Sequence, residues 1–415
     1  MLPLKPKGAA EHMIVESVRF NYAEGISRFE ARICKSVSSG PPFVGYIAFD
    51  GEVKAPDALG DPFLAACLLP SMFIGEDLEI GAPVSRMLVE SMATVQDIFL
   101  TWYPTDFRRI QVKTPHVLSN STFPKENATA AFFSGGVDSW YSLLKHRDRV
   151  GVLLTVNRFD ISIENTKVYD ELVDAGREVA HDFGMSLLAV ETNLRLGLDP
   201  GFGRLGKSYP DDFWGPVLHG AFLGAVGLCL QRHFGQVVIP SSYPYDFLFP
   251  WGSHPLLDAL WSTDLTCFEH DGCEAGRTRK VQRIAECSMA LRRLRVCAAN
   301  EPGVYNCGTC EKCCRTMLAL RLFVKLAADA PFSKLLDLAA LELQDLPASK
   351  VHWYVEILAV AQAGGPPEII HVLQVILGQK RSWCRDWQWL SRKLGLPKHR
   401  RSFRKRWDRL RGFRA

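Results

Sequence analysis

The sequence predicts an α/β fold: a doubly wound, mostly parallel sheet with an N-terminal α+β domain before it and a helical, basic C-terminal region after it. Three observations support this fold class. Strand and helix patterns alternate from Ala128 onward, a glycine-rich turn separates the first of these strands from its helix, and hydrophobic residues make up 47% of the 415 residues. Alternation of this kind indicates parallel strands joined by right-handed crossovers. The length is typical of about two or three domains.

Residues 1–112 are predicted to form the N-terminal α+β domain. The stretches HMIVESVRF and FVGYIAFDG have strand patterns, the region 85–100 has a helical pattern, and RRIQV predicts another short strand. Residues 113–127 are polar and contain two prolines, so we interpret them as a linker. This first segment carries no catalytic signature.

Residues 128–321 carry the alternating patterns. Their strand-like stretches are ATAAFF, RVGVLLTV, MSLLAVET and QVVIP, and the intervals have helical patterns, among them the amphipathic stretch 165–183. The apolar run from Val217 predicts a buried helix, because it contains His219 and is shorter than the roughly 18 residues that a membrane span needs. Helical patterns continue from Cys314 to near Leu394, so residues 322–415 are predicted to form the C-terminal helical region.

The turn SGGVDS lies where the strand ATAAFF ends and a helix begins. In a parallel sheet, ligands bind beyond the carboxyl ends of the strands, and N–H groups at the start of a helix bind phosphate. We expect an exposed phosphate-binding turn formed by Ser134, Gly135, Gly136, Val137, Asp138 and Ser139. The carboxylate of Asp138 would repel a polyphosphate unless Mg2+ bridges them, or unless it positions a nucleophile or caps the helix. The alternative is an ordinary helix N-cap after a strand.

Eight of the twelve cysteines fall between residues 267 and 314, a distribution typical of a metal site. Four of them have the spacing C-x9-C-x2-C-x2-C, in which the short gaps direct successive thiolates towards one ion. These candidate ligands are Cys297, Cys307, Cys310 and Cys313. Four thiolates favour a closed structural Zn2+ site, with Cys287 as the substitute ligand. An iron–sulfur cluster and unligated core cysteines are the alternatives.

The two motifs together indicate a family. SGGxDS, matched at every defined position, resembles the motif of the PP-loop ATP pyrophosphatases and differs from the Walker loop and from GxGxxG. With the cysteine pattern C…CGxCxxC and Arg315 close behind it, the chain is similar to the 7-cyano-7-deazaguanine synthase (QueC-like) branch of that family. The resemblance extends over residues 128–321, about half of the chain. The usual synthase lacks the N-terminal domain and the long basic C-terminal region.

The resemblance implies a PP-loop/HUP-like fold and an ATP-dependent ligase that needs Mg2+. It implies that a 7-carboxy-7-deazaguanine-type carboxylate is adenylated, with ATP converted to AMP and pyrophosphate, and then becomes an amide or nitrile. Asp138 and Ser139 would be the catalytic residues. Alternatives are conjugation of the deazapurine to a protein amine in a bacterial antiviral system, a PP-loop tRNA-modifying enzyme such as a thiolase, and an inactive nucleotide-binding scaffold. The intact SGGVDS disfavours a scaffold, and the cysteine spacing disfavours thiolation.

Two further stretches contain candidate substrate-binding residues. The aromatic loop after Ser241 follows a predicted strand, so its rings could flank a flat heterocycle, with Asp246 and His254 bonded to the edge of that ring. A packed lid is the alternative. Arg279 and Lys280 lie at the start of a predicted helix, where the helix dipole disfavours cations unless an anion such as phosphate offsets it. A solvated helix face is the alternative.

Charge and hydropathy constrain the surroundings of the protein. The sequence has neither a secretory signal nor a membrane span, so we expect a cytoplasmic protein without membrane contact. Residues 380–415 carry a net charge of +12, against −8 for the remainder. Nucleic-acid binding by this basic tail is one interpretation. Docking of the tail on the acidic remainder is the favoured one.

Overall fold

The computed structural model describes residues 12–36, 42–119, 123–157, 159, 161, 165–199, 213–325, 330–342 and 346–379. The basic tail from Lys380 onward, with its two interpretations, lies outside these residues. The strands are β1 (His12–Ala23), β2 (Ile26–Cys34), β3 (Phe43–Phe49), β4 (Asp77–Ile80), β5 (Val84–Ser85), β6 (Val112–Lys113), β7 (Val117–Leu118), β8 (Thr129–Phe132), β9 (Val150–Val156), β10 (Ser186–Thr192), β11 (Gln236–Pro240) and β12 (Cys267–Asp271). The α-helices are α1 (Asp61–Ile74), α2 (Arg86–Trp102), α3 (Val137–His146), α4 (Thr166–Asp182), α5 (Leu194–Leu198), α6 (His219–Cys229), α7 (Arg277–Ala285), α8 (Ser288–Arg293), α9 (Glu311–Leu320), α10 (Leu338–Glu342), α11 (Val351–Ala361) and α12 (Pro367–Gln379).

The chain forms two compact units. The first unit consists of the described residues within 1–134, 145–241 and 250–271. The second unit consists of those within 135–144, 242–249 and 272–415. The domain boundaries given above from the sequence alone stay a prediction.

The first unit contains a ten-stranded sheet with the order β12-β11-β8-β9-β10-β3-β2-β1-β4-β6. The strands from β12 to β10 are parallel, β10 to β1 pair antiparallel, and β4 and β6 continue from β1 in parallel. The predicted α/β class and the mostly parallel sheet are therefore confirmed, and they are consistent with a doubly wound fold. Through β10 and β3, the predicted N-terminal segment and the predicted α/β segment share one sheet.

The core of the first unit contains two helices that are apolar on every side. Nearly every residue of α1 is buried, as is every residue of α6 after His219, and the two helices pack against each other. Helix α1 was not predicted, because it has no amphipathic period and contains Pro70, a residue that disfavours helix interiors. Among the described residues, no helix has the length and hydropathy needed to cross a bilayer.

Strand β12 lies at one edge of the sheet and is held there by charges. Asp271 accepts hydrogen bonds from Lys145 at 2.7 Å and lies 2.9 Å from Nε2 of His146, while Arg149 donates to Glu269 at 2.7 Å. Charged residues are typical of edge strands. The stretch CFEHD was not predicted as a strand because it lacks alternating apolar residues.

One carboxylate at the start of α1 is enclosed in the first unit. Asp61 is fully buried, and it accepts hydrogen bonds from the Ser85 N–H at 2.7 Å, the Ser85 hydroxyl at 2.5 Å and the Gln231 amide at 3.2 Å. Burial raises the pKa of Asp61 to about 6, because the three hydrogen bonds offset only part of the desolvation.

The second unit is built from helices. Its members are α7 to α12, the first eight residues of α3 and the aromatic loop 242–249. Helix α11 packs against α7, α9 and α12. The C-terminal region thus contributes directly to the surroundings of α7, where Arg279 and Lys280 lie.

We predict that Asp61 makes the stability of the protein depend on pH. The pKa of this group is raised above its unfolded value, so the folded state holds the proton more tightly and the free energy of unfolding falls as pH rises from about 4 to about 6. The loss should be about 3 kcal/mol over that window. Urea unfolding at several pH values measures it.

The matched control for this pH dependence is Asp148→Asn, since the side chain of Asp148 is 94% exposed. Asp61→Asn should flatten the curve between pH 4 and 6 relative to the wild type, whereas Asp148→Asn should leave it unchanged. Parallel curves for Asp61→Asn and the wild type would contradict the assignment.

Candidate active site and metal centre

The glycine turn opens helix α3 as the sequence predicts. Strand β8 ends at Phe132 and α3 begins at Val137. Gly135 has a φ of +69°, a conformation that side chains with a Cβ rarely adopt. The carbonyl of Gly136 accepts hydrogen bonds from the hydroxyl of Ser139 at 3.0 Å and from the N–H of Trp140 at 2.9 Å. The turn is less exposed than expected, because Ser139 is buried while Ser134 is exposed.

Asp138 lies in the first turn of α3 and is shared by two cations. Its Oδ2 accepts a hydrogen bond from Nη1 of Arg277 at 3.0 Å, and its Oδ1 accepts one from Nζ of Lys280 at 3.0 Å. The side chain of Lys280 is only 2% exposed, that of Asp138 19%. A lysine is rarely buried to this extent unless it is paired, so Asp138 is what allows Lys280 to be enclosed.

The two cations also determine the charge state of Asp138. Burial by itself would raise the pKa of this carboxyl, but Arg277 and Lys280 outweigh burial and lower its pKa below the ordinary value. Asp138 is therefore an anion at neutral pH. Asp138 places a negative charge at the N-terminus of α3, and Arg277 and Lys280 neutralise that charge.

Helix α7 presents these cations from its first turn. Arg277 and Lys280 are three residues apart and share one face of the helix, whereas Arg279 points to solvent. Cations are disfavoured at a helix N-terminus. Asp138 offsets part of this cost, and Glu356 of α11 adds a second carboxylate by accepting the N–H of Thr278 at 2.7 Å. Lys280 was a sequence candidate, whereas no local pattern indicated Glu356.

The remaining sequence candidates have different surroundings. Asp246 is exposed in a short 3-10 turn of the second unit. His254 belongs to the first unit, where it is 5% exposed, accepts the N–H of Leu256 at 3.1 Å and packs edge-on against Trp102. Burial lowers the pKa of His254 to about 4, so this histidine is neutral. Substrate contacts of both residues stay a prediction.

The aromatic loop after Ser241 packs against α11 within the second unit. The ring of Tyr243 stacks on Trp353 with centroids 5.6 Å apart, and that of Phe247 stacks on His352 at 4.3 Å. Phe249 meets Tyr243 edge-on. This arrangement has the character of a packed lid. The sequence offered no periodic signal that His352 and Trp353 would be its partners.

The four candidate cysteine ligands converge. Their sulfur atoms all lie within 4.8 Å of one another, with 4.0 Å between Cys297 and Cys310 and 4.0 Å between Cys307 and Cys313. A tetrahedral Zn2+ with Zn–S bonds of about 2.3 Å requires sulfur separations of about 3.8 Å. The arrangement therefore fits a four-thiolate metal site.

Hydrogen bonds favour the thiolate form of Cys307. Its sulfur accepts the hydroxyl of Thr309 at 3.5 Å and the N–H groups of Thr309 at 3.4 Å and Cys310 at 3.2 Å, and these bonds outweigh burial and lower the pKa of Cys307. Asn306 is buried, and its Oδ1 accepts the N–H groups of Val296 and Cys297 at 2.8 and 3.1 Å. The sequence motif gave no indication of this role for Asn306.

A backbone hydrogen bond joins the cysteine cluster to the glycine turn. The N–H of Arg295 donates to the carbonyl of Gly135 at 2.8 Å, and Cys297 follows two residues later. The side chain of Arg295 binds Asn300 at 2.9 Å, within the loop that separates Cys297 from Cys307. Order in the cysteine cluster is thus linked to the position of the turn.

We predict that Cys310→Ser removes the metal and destabilises the fold. Losing one thiolate from a closed site removes much of the metal-linked folding free energy, which is on the order of 10 kcal/mol for structural zinc. Metal analysis and thermal melting of the purified protein measure both effects. A brown chromophore with bound iron would indicate a cluster instead of zinc.

The matched control is Cys314→Ser. Cys314 adjoins a candidate ligand, but its sulfur donates to the carbonyls of Gly308 and Thr309, so a serine hydroxyl can replace it. This variant should keep its metal. A metal-free wild type, or a Cys310→Ser variant that melts at the wild-type temperature, would refute the site.

We also predict that Asp138→Asn destabilises the protein by about 3 kcal/mol, because it leaves a buried lysine without its charge partner. Adding Lys280→Met should restore part of this loss, since both charges are then absent. Urea unfolding of the two single variants and the double variant measures the coupling. The control is Glu286→Gln, which breaks the exposed pair with Arg283 and should cost less than about 1 kcal/mol. Additive effects at positions 138 and 280 would be the contrary result.

No protein-family model, curated protein or solved structure matches the chain. The described residues of the second unit have two features that bear on function: a carboxylate shared by two cations at a glycine turn, and a converging set of four cysteines.

Proposed function

We propose that the protein is a PP-loop ligase of the QueC-like branch that adenylates a 7-carboxy-7-deazaguanine-type carboxylate, releasing pyrophosphate and forming an amide or nitrile. The observation that carries the proposal is the pairing of Asp138 with Arg277 and Lys280 at the glycine turn. An ordinary helix N-cap after a strand has no need for two cations from another helix. A site for a polyphosphate does need them.

The turn supplies what a departing pyrophosphate requires. N–H groups at the start of α3 point out of the helix and carry its positive dipole. Lys280 and Arg277 add fixed positive charge next to them, and this charge is already in place before any substrate arrives. Preorganised charge of this kind stabilises the transition state of phosphoryl and nucleotidyl transfer.

Adenylation makes an unreactive carboxylate susceptible to an amine. A carboxylate resists attack because its negative charge is delocalised and hydroxide is a poor leaving group. In the proposed reaction, a carboxylate oxygen attacks the α-phosphorus of ATP and the bond to the β-phosphate breaks. The amine nitrogen then attacks the carbonyl carbon, and AMP leaves with the original carboxylate oxygen.

Two metal ions belong to this proposal. Mg2+, which when bound shares the negative charge of the polyphosphate, would bind through the substrate phosphates, because both carboxylate oxygens of Asp138 are paired with Arg277 and Lys280. Cys297, Cys307, Cys310 and Cys313 would hold Zn2+, whose role is structural because four thiolates leave no open position for substrate. The residues of the chain itself bind and orient: the α3 turn binds phosphate, and the packed aromatic rings limit the access of water that would hydrolyse an adenylate.

We predict that the purified protein converts ATP to AMP and pyrophosphate only when the deazapurine is present. The reaction contains Mg2+, ATP, ammonium and 7-carboxy-7-deazaguanine labelled with heavy oxygen in its carboxylate. AMP should carry the heavy oxygen, because the adenylate forms through that atom. Ion-exchange separation followed by mass spectrometry reads both the nucleotide and the label.

Asp138→Asn should abolish this reaction, and Asp337→Asn should not, because Asp337 is exposed and only caps α10. ADP as the product, unlabelled AMP, or AMP formed at the same rate without the deazapurine would contradict the proposal.

Omitting ammonium tests which amine is the acceptor. Product that forms only when a protein amine is added would identify a conjugating enzyme.

A further inference from the structure

Two guanidinium groups share one tryptophan in the second unit. The guanidinium carbon of Arg277 lies 5.4 Å from the ring centroid of Trp353, and that of Arg315 lies 5.0 Å from it. The side chain of Arg315 is only 4% exposed. The three residues come from three helices, α7, α9 and α11. Bringing two like charges together in a buried position is unfavourable unless an anion compensates them.

Three buried nitrogen atoms around this tryptophan have no hydrogen-bond partner among the described residues. They are Nε of Arg277, Nη1 of Arg315 and Nε2 of His352. Asp138 accepts a hydrogen bond from Nη1 of Arg277 and leaves its Nε unpaired. The carboxylate of Glu311 lies 3.3 Å from Nε of Arg315 and leaves its Nη1 unpaired. Buried polar groups in native proteins nearly always have a partner, so the two unpaired guanidinium N–H groups point to a ligand that accepts hydrogen bonds.

The charges specify the class of ligand. Arg277 and Arg315 are cations throughout the pH range in which proteins are folded. Burial followed by the charge of Arg315 lowers the pKa of His352 to about 3, so His352 is neutral, and because its one ring N–H donates to the backbone of Ser349, its unpaired Nε2 is an acceptor. The two guanidinium groups, each only partly occupied by its carboxylate, suit an acceptor group with negative charge spread over several oxygens. Guanidinium groups bind such groups with two parallel hydrogen bonds.

We propose that Arg277 and Arg315, assembled around Trp353, form an oxyanion-binding site. Its ligand is either the pyrophosphate part of a nucleotide or the carboxylate of a planar heterocycle, two sources of the same chemistry. The choice between these two sources rests on the proposed function. The site itself does not, because it follows from the buried guanidinium groups and their unpaired N–H groups.

The C-terminal region is part of this site. His352 and Trp353 belong to α11, which lies beyond the segment that resembles the QueC-like branch. The same helix supplies Glu356, which caps α7 next to Arg277. Removing the region after residue 321 would therefore expose Arg315 and leave the start of α7 without its carboxylate.

The test is isothermal titration of the full-length, metal-loaded protein with inorganic pyrophosphate and, separately, with 7-carboxy-7-deazaguanine, both without ATP. Arg315→Lys keeps the positive charge but cannot form the two-pronged contact, so it should weaken binding of one probe by about ten-fold or more. The matched control is Arg321→Lys at the C-terminal end of α9, where Arg321 pairs loosely with Glu368 at 3.7 Å. It should bind both probes as the wild type does.

The pattern of losses identifies the ligand. Weakening with pyrophosphate alone assigns the site to the nucleotide, and weakening with the deazapurine alone assigns it to the carboxylate. A wild type that binds neither probe, or an Arg315→Lys variant that binds both with unchanged affinity, overturns the site. Bound metal and melting temperature establish that each variant is folded.

Trp353→Phe is the second variant, because phenylalanine retains the packing but attracts cations less than tryptophan does. It should weaken the same probe as Arg315→Lys, by a smaller factor. If it weakens neither, the tryptophan has no part in the site.

AMP formation is measured independently of these titrations. Anion binding without AMP formation would refute the proposed reaction and leave the binding site standing.

Discussion

The ion pair between Asp138 and Lys280 is the interaction on which the second unit depends. A lysine with 2% of its side chain exposed requires a charge partner, and the partner comes from the first turn of α3. Arg277 shares the same carboxylate, so the start of α7 and the glycine turn are fixed relative to each other. This arrangement also explains how two cations are tolerated at a helix N-terminus, where the dipole opposes them. Asp138 on one side and Glu356 on the other compensate the cost.

The cysteine cluster extends this constraint along the chain. Arg295 binds the carbonyl of Gly135 through its backbone, and two residues later Cys297 begins the cluster. Asn306 joins the two ends of the intervening loop, because it accepts the N–H of Cys297 and donates to the carbonyl of Leu294. Metal binding that orders this loop would therefore also fix the turn. A structural ion would in this way contribute to the position of the glycine turn.

Much of the fold could be predicted from local patterns, and the exceptions have physical reasons. Alternating strands and helices predicted the parallel part of the sheet, and the glycine turn and the cysteine spacing identified the two motifs without structural information. Helix α1 was missed because an all-apolar helix has no amphipathic period, and β12 because its charges hide the strand pattern. The pairing of β10 with β3 joins residues far apart in the sequence, so no local sequence pattern predicts it. For the same reason Asp138 and Lys280 were separate sequence candidates, while their pairing and the cap from Glu356 became apparent only in three dimensions.

The contact between Glu356 and the start of α7 depends on a glycine. A Cβ at position 276 would lie 2.4 Å from Oε1 of Glu356, well inside van der Waals contact. A larger residue there would displace the carboxylate that caps α7. The absence of a side chain at Gly276 thus lets the carboxylate of Glu356 reach the first turn of α7. Through this contact, helix α11, which lies outside the two sequence motifs, becomes part of the surroundings of Asp138. The surroundings of Asp138 are therefore formed by α3, α7, α9 and α11 together, and not by the glycine turn alone.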